Sequence, residues 1–181
     1  MTLGGLVLAN FGRQEFLRIH GCPTGTLLAE AAPPGSRDPA HDGGAGRGGS
    51  VIVILATDAP LTSRQLTRVA RRAAAGLART GSVYHHQSGD FVLAFSTAHA
   101  YPPYLADEGD LLNPLFEAAA DVTEEAVIRA LLCARPMTGR DGHHVTSLDR
   151  TRLREIWERW HGPRGLDIEA MVGPRVPEIG P

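Results

Sequence analysis

The amino-acid sequence predicts an α/β fold in which helices pack on thin sheets, and three observations carry that prediction. VIVILAT, residues 51–57, is an unbroken apolar and largely β-branched run, the mark of a strand covered on both faces. Directly after it, apolar residues recur at helical spacing from Leu66 to Leu77. A second apolar strand, FVLAFST, follows at 91–97.

Taken in order, GLVLAN (5–10) and EFLRIHG (15–21) read as a short strand pair joined through Phe11, Gly12 and Arg13. From Thr24 to Gly49 the composition turns to Gly, Pro, Ala, Ser and Asp. Apart from the piece LLAEAA, that stretch has too little apolar surface to order itself, so a mobile linker is expected. After VIVILAT, Thr62 with Gln65 three residues later forms a capping box for the next helix. Leu66, Val69, Ala70, Ala73, Ala74 and Leu77 mark that helix's apolar face, Arg64, Arg68, Arg71 and Arg72 mostly take the other side, and Gly81 ends it. A loop rich in Pro and Tyr is expected over 101–114, then a helix from about Thr123 to Ala134 carrying Ala126, Val127, Ala130 and Leu131. The last helix starts near Asp149 with Leu153, Ile156, Trp157 and Trp160 on one stripe, the tryptophans serving the core or a subunit contact. Beyond Gly162 the tail is rich in Pro and Gly. So few elements leave the sheets thin and at least one face uncovered.

A chain of 181 residues, 43% apolar and 21% charged, is long enough for one hydrophobic core. With 18 basic against 20 acidic residues and a formal charge of −2, nothing calls for a nucleic-acid or anionic-membrane surface. No run approaches the roughly 18 apolar residues of a membrane span. The opening MTLGGLVLAN lacks a basic region ahead of its apolar stretch and does not read as a signal peptide, so a cytoplasmic location is expected, with no nucleic acid and no membrane as partner. Cys22 and Cys133 allow one disulfide at most; Cys133 lies in an apolar helical pattern and is expected as a buried thiol.

The chemistry narrows by elimination. His85-His86 and His143-His144 lack the i,i+4 spacing or paired cysteines of a strong metal signal and read as solvated loop histidines. The glycine run GGAGRGG lacks a Lys-Ser/Thr ending and precedes a strand, so it is no phosphate loop, and no GxSxG elbow occurs. What remains is a polar set bordering the two apolar strands: Ser50 at the head of one, and Ser88-Gly89-Asp90 just ahead of the other. A serine hydroxyl needs a base beside it to act as a nucleophile. If the Gly49–Ser50 bond were cut, the freed α-amine, with an ordinary pKa of about 8, would supply that base within the same residue. Gly48 and Gly49 would let the backbone take the distorted turn of an intramolecular attack. The plainer alternative makes Ser50 the first residue of a strand and Ser88-Gly89-Asp90 a turn. Composition and spacing alone leave both open.

Several blocks then resemble the L-aminopeptidase/D-esterase and β-aminopeptidase family: Gly49 to Leu61, Arg79-Thr80-Gly81, Ser88-Gly89-Asp90, Phe95-Ser96-Thr97-Ala98 and Met137 to Gly142. The resemblance implies a precursor that cleaves itself between Gly49 and Ser50, and an α/β/β/α sandwich of the N-terminal-nucleophile-like aminopeptidase type, here incomplete at its N-terminal side. It also implies a self-processing serine aminopeptidase or amidase that hydrolyses N-terminal residues of small peptides, amides or esters. By resemblance Ser50 matches the nucleophile, Ser88 the serine that hydrogen-bonds and tunes it, Asp90 the acidic residue holding the amine and proton network, and Asn10 the asparagine of the oxyanion site. We add that Asp90 would attract a substrate's ammonium group. The related acyltransferases, with a threonine at the nucleophile position, are disfavoured by Ser50.

On this reading residues 1–23 end a large-chain portion, 24–49 are a flexible processing linker, 50–162 form the small-chain catalytic portion and 163–181 are the tail. Most of the family's large chain has no counterpart, which makes the chain part of an intact enzyme, half of a split enzyme, or an inactive remnant or structural subunit. The expected partners are a small peptide or amide substrate, the missing large-chain portion or a separate upstream subunit, and further copies in a homo-oligomer. No metal or cofactor is implied. His85-His86-Gln87 and His99 depart from the family's usual small residues or asparagines.

Overall fold

The computed structural model describes residues 1–31, 49–86, 88–99 and 108–162. Most of the expected linker, the Tyr-rich residues 101–107 and the tail after Gly162 lie outside the described residues. The elements are β1 (Leu3–Asn10), α1 (Thr24–Glu30), β2 (Ser50–Thr57), α2 (Ser63–Ala70), α3 (Ala73–Arg79), β3 (Phe91–Ser96), α4 (Glu108–Cys133), β4 (Met137–Thr138), β5 (His144–Val145) and α5 (Arg150–His161).

Strand β2 is central. It pairs antiparallel with β1 from Leu3↔Thr57 to Asn10↔Ser50, and parallel with β3 from Ile52↔Phe91 to Thr57↔Ser96. The parallel step needs a crossover, which α2 and α3 supply. The expected pairing of 5–10 with 15–21 is therefore corrected. β1 finds a full eight-residue ladder on β2, which a three-residue connection to a shorter, partly charged segment cannot match. Residues Gln14–Phe16 form a 3-10 turn instead, and Ile19 and Cys22 close a tight bridge around Gly21.

One face of the sheet is packed. Val51, Val53 and Leu55 are almost fully buried against Leu61, Val69, Ala73, Leu77, Leu112, Leu115, Ala119 and Val127. α4 lies along β1 and against α3, and α2 packs on β3. The predicted capping box is present in full: the Thr62 amide donates to Gln65 Oε1 at 2.9 Å and the Gln65 amide to Thr62 Oγ1 at 3.4 Å. The single helix expected from there is two, because the Arg72 amide turns to Val69 O with i→i+3 geometry and breaks the α-helical ladder. Helices α3 and α4 cross closely at Gly76, where a Cβ would collide with the Ala120 carbonyl and lie 2.8 Å from Thr123 Cβ. Arg79 fastens the crossing, reaching Asp121 at 2.5 Å and Glu124 at 3.3 Å. The hydrogen bond to Asp121 is the main cause that raises its guanidinium pKa further, against a smaller cost of desolvation.

Helix α4 starts well before the expected Thr123 and runs through Pro114, so the predicted loop ends early. Burial of Leu112 and Leu115 on either side overrides the proline. Pro114 itself is exposed, where water can bond the carbonyl left without a donor. The far end of α4 enters a second cluster, in which Ile128 and Leu132 meet Ile19, Cys22, Leu28, Leu153, Ile156 and Trp157. Asp149 caps α5 by accepting from the Thr151 and Arg152 amides at 3.0 and 3.1 Å. Two side-chain expectations are corrected here. Cys133 is exposed and Cys22 is the buried thiol. Leu132 takes the core position, and Cys133 stands about 100° further round the helix. Trp157 is core, but Trp160 is half-exposed.

The other face of the sheet is open. Leu6, Leu8, Phe91 and Leu93 are 66%, 68%, 69% and 58% exposed, and Ile52 and Phe95 are also uncovered. The expectation that VIVILAT is covered on both faces fails within this chain, and the second apolar strand, FVLAFST, is largely exposed. The sequence pattern is two-faced; the cover is one-sided.

Candidate active site

The ladder brings the polar set together. β2 and β3 are parallel, so Ser50 and the residues just before Phe91 share one end of the sheet. β1 runs the other way, so its last residue, Asn10, arrives at that same end directly opposite Ser50. All four expected residues converge there.

Ser88 stands between two acceptors, its Oγ 2.9 Å from the Gly49 carbonyl oxygen and 2.7 Å from Asp90 Oδ1. A hydroxyl carries one proton, so it donates to one of them at a time. Bonded to Gly49 it polarises the Gly49–Ser50 amide; bonded to the carboxylate it is held as part of a proton network. Asp90 Oδ1 also accepts from the Val51 amide at 3.2 Å, which ties the head of β2 to the turn before β3. The Gly89 amide donates to Ser50 Oγ at 3.3 Å. The Ser88 amide closes the turn on His85 O at 2.8 Å.

Gly49 is explained differently from the expectation. Its φ lies outside the left-handed region, whereas a Cβ there would come within 2.7 Å of both Asn10 O and Phe11 Cα. Close approach to the end of β1 excludes a side chain. Gly48 lies outside the described residues.

The flanking histidines divide. His85 and His86 are exposed in the loop ahead of Ser88, with His85 stacked on Phe16 at 6.2 Å between ring centres. Gln87 is outside the described residues. His99 follows the far end of β3, about 20 Å along the strand from the Ser50 end. His143 and His144 are exposed, His144 pairing with Thr138 through Nδ1 and Oγ1 at 2.9 Å.

Sequence reasoning missed Tyr84. Its phenol is pushed up to about 12, chiefly by burial and then by the charge of Asp90. Its backbone φ is 51°, a conformation costly for a bulky residue. Nothing in the local pattern GSVYHHQ signals either property.

Against solved structures the chain superposes on the Ochrobactrum anthropi L-aminopeptidase D-Ala-esterase/amidase, described as a variant of the Ntn-hydrolase fold, with TM-score 0.67 and 36% identity. A Burkholderia sp. β-aminopeptidase gives TM-score 0.66 at 32% identity, and a protein of Pyrococcus horikoshii OT3 gives 0.71 at 44%. These matches cover 87–88% of this chain but only 43–44% of theirs. The fold is thus that of the N-terminal-nucleophile-like aminopeptidases, an α/β/β/α sandwich of which this chain holds part. The model of peptidase family S58 matches residues 1–145, and the chain belongs to that family. Among curated relatives, the β-peptidyl aminopeptidase BapA of Sphingosinicella microcystinivorans is 38% identical over 172 residues, and its Sphingosinicella xenopeptidilytica counterpart 37% over 167. The chain spans under half the length of either, 43% and 42%. Among the described residues, no helix is long and apolar enough to cross a membrane.

Proposed function

We propose that this chain is the nucleophile-bearing part of a self-processing serine aminopeptidase or amidase that removes N-terminal residues from small peptides, amides or esters. The observation that carries the reading is Ser88 Oγ, 2.9 Å from the Gly49 carbonyl oxygen and 2.7 Å from Asp90. A donor on the Gly49 carbonyl supports cleavage there, and the neighbouring Gly89 amide reaches Ser50 Oγ at 3.3 Å.

In processing, Ser50 Oγ bonds to the Gly49 carbonyl carbon, the C–N bond breaks, and the hydroxyl proton passes to the Ser50 nitrogen. Water then hydrolyses the resulting ester, freeing the Gly49 carboxylate and the Ser50 α-amine. In turnover that amine takes the hydroxyl proton as Oγ attacks the substrate carbonyl, and returns it to the leaving amine. Water releases the acyl group by the reverse sequence of proton transfers. Donors aimed at the tetrahedral oxygen stabilise both steps; Asn10, opposite Ser50 in the ladder, is the proposed donor. Asp90 binds the substrate's ammonium and so selects unblocked N-termini.

Relatives named as β-peptidyl aminopeptidases and as an L-aminopeptidase D-Ala-esterase support this substrate class. The acyltransferase alternative is disfavoured by serine at position 50. The inert-subunit alternative draws on the open sheet face and on the match to under half the length of the relatives. Trp160, exposed beside Leu27 and Ile156, offers a contact for a homo-oligomer.

The test supplies the rest of the fold from a relative and follows release of an anilide from an aminoacyl anilide. Ser50→Ala is expected to abolish release, and Ser88→Ala to lower kcat by about 100-fold or more. Turnover that survives Ser50→Ala refutes the assignment.

A further inference from the structure

We propose that the cleft between the 3-10 turn at Gln14–Phe16, the start of α1 and the end of α3 binds a free amino acid with an apolar side chain, its ammonium held by Glu15 and its carboxylate by Arg18. The cleft stands whether or not the chain turns substrate over; that such a ligand is also a product of turnover rests on the function proposed above.

Backbone contacts build the cleft. The Arg18 amide donates to Thr80 O at 3.1 Å and the Gly25 amide to Leu17 O at 3.0 Å. The segment after the 3-10 turn is thereby fastened to α1 on one side and to the end of α3 on the other. Both approaches are close: a Cβ on Gly25 would collide with the Gln14 carbonyl, and one on Gly81 with the Phe16 carbonyl. A hollow of about 260 Å³ remains between these segments. Walls tied by main-chain hydrogen bonds are in place before a ligand arrives, so little ordering opposes binding.

The lining carries both signs of charge on an apolar ground. Phe16, Leu17, Pro23, Ala78 and Val83 supply the apolar wall, and Val83 is 61% exposed, outside either core cluster. Glu15 and Arg18 line the same hollow, with the hydroxyls of Thr26 and Ser82 beside them. The two charged side chains do not bridge each other. Among the described residues Glu15 pairs with Arg13, at 3.8 Å with both side chains well exposed, and Arg18 has no ion pair. An exposed pair of that length contributes little and yields readily to a better partner.

Opposite charges that face one hollow without closing on each other suit a ligand that carries both. A lone anion is repelled by Glu15 and a lone cation by Arg18, whereas a zwitterion is attracted by the two together. The Arg18 guanidinium offers a carboxylate two parallel donors. Glu15 and the Ser82 hydroxyl oxygen accept from an ammonium, and the apolar wall takes the side chain out of water. Asn10, Ser50, Ser88 and Asp90 are not among the lining residues. This is therefore a second site, separate from the ammonium position proposed at Asp90.

The experiment titrates the whole 181-residue chain, isotopically labelled, with L-leucine and follows its backbone amides by NMR. Saturable shifts are expected at Glu15–Arg18 and Gly81–Val83. N-acetyl-leucine lacks the ammonium and leucine amide lacks the carboxylate; each is expected to bind about 10-fold more weakly or worse. Glu15→Gln weakens leucine by a similar factor and leaves N-acetyl-leucine unchanged, while Arg18→Met weakens leucine and leaves leucine amide unchanged. Both residues are exposed, so the rest of the amide spectrum stays as it was. Asp90→Asn leaves leucine binding intact. No saturable shift overturns the site. Equal binding of leucine and its capped analogues overturns the assignment of the two charges. Shifts centred on Ser88–Asp90 and lost in Asp90→Asn overturn the second site by placing the ligand at the candidate active site. Cutting at Gly49–Ser50 is read separately, from the terminal sequence, so failure here and failure of the proposed function are distinguishable.

Discussion

The two faces of one sheet have the same chemistry and opposite fates. On β2, Val51, Val53 and Leu55 point into a core closed by α2, α3 and α4, and each is at most 1% exposed. Their alternating neighbour Ile52 is 41% exposed, and Ser50 lies on its side of the strand. A strand apolar on both faces is built to be buried on both. Here the covered face supplies stability from within the chain, and the open face holds the candidate chemistry together with the surface that would shelter it.

Substitution along β2 breaks or sharpens that contrast most strongly. Leu55→Ala removes a fully buried side chain and is expected to cost about 3 kcal/mol in the chain alone. Ile52→Ala on the open face is expected to cost less than about 1 kcal/mol. Urea unfolding of the two variants measures the difference; equal losses would mean that the faces do not differ in solution. The cost of Ile52→Ala is expected to rise when the complementary portion is bound.

A smaller effect is expected at Tyr84, where the site meets solvent. Burial first, and the Asp90 charge second, raise its phenol to about 12, against an ordinary value of about 10 in the unfolded chain. A raised folded value means that the native state holds the proton more firmly. Its contribution is therefore complete below about pH 10 and is lost as pH climbs toward 12. Titrating phenolate absorbance should show one of the three tyrosines ionising near 12 in the folded protein. Tyr84→Phe removes that component and Asp90→Asn lowers it. An unchanged high-pH step in Tyr84→Phe would dissociate the shift from this residue.

Legibility in the sequence followed the range of the interactions. The Thr62–Gln65 capping box involves residues three apart, and both of its hydrogen bonds form as read. Two apolar strands around a helical stretch were legible, whereas their parallel pairing, which brings Ser50 to Ser88 and Asp90, came from the structure. The partner of β1 was not legible, because a full-length ladder to a strand some 40 residues later outcompetes a local hairpin. Pro114 misled in the same way: a local breaker signal yielded to the burial of Leu112 and Leu115. That at least one face would be uncovered was legible from the small number of elements, and Leu6, Leu8, Phe91 and Leu93 bear it out; which polypeptide covers it was not, because a strand's composition records only that it is to be covered. Tyr84 escaped because its properties come from Asp90 and from a left-handed backbone that its neighbours do not announce.

On the proposed function, Ser50 becomes a chain terminus and a nucleophile. N-terminal sequencing of the protein after assembly with the complementary portion tests it most directly. A new terminus reading Ser-Val-Ile-Val is expected, absent from Ser50→Ala. An intact Gly49–Ser50 bond in the assembled protein, or a new terminus at any other residue, would contradict it.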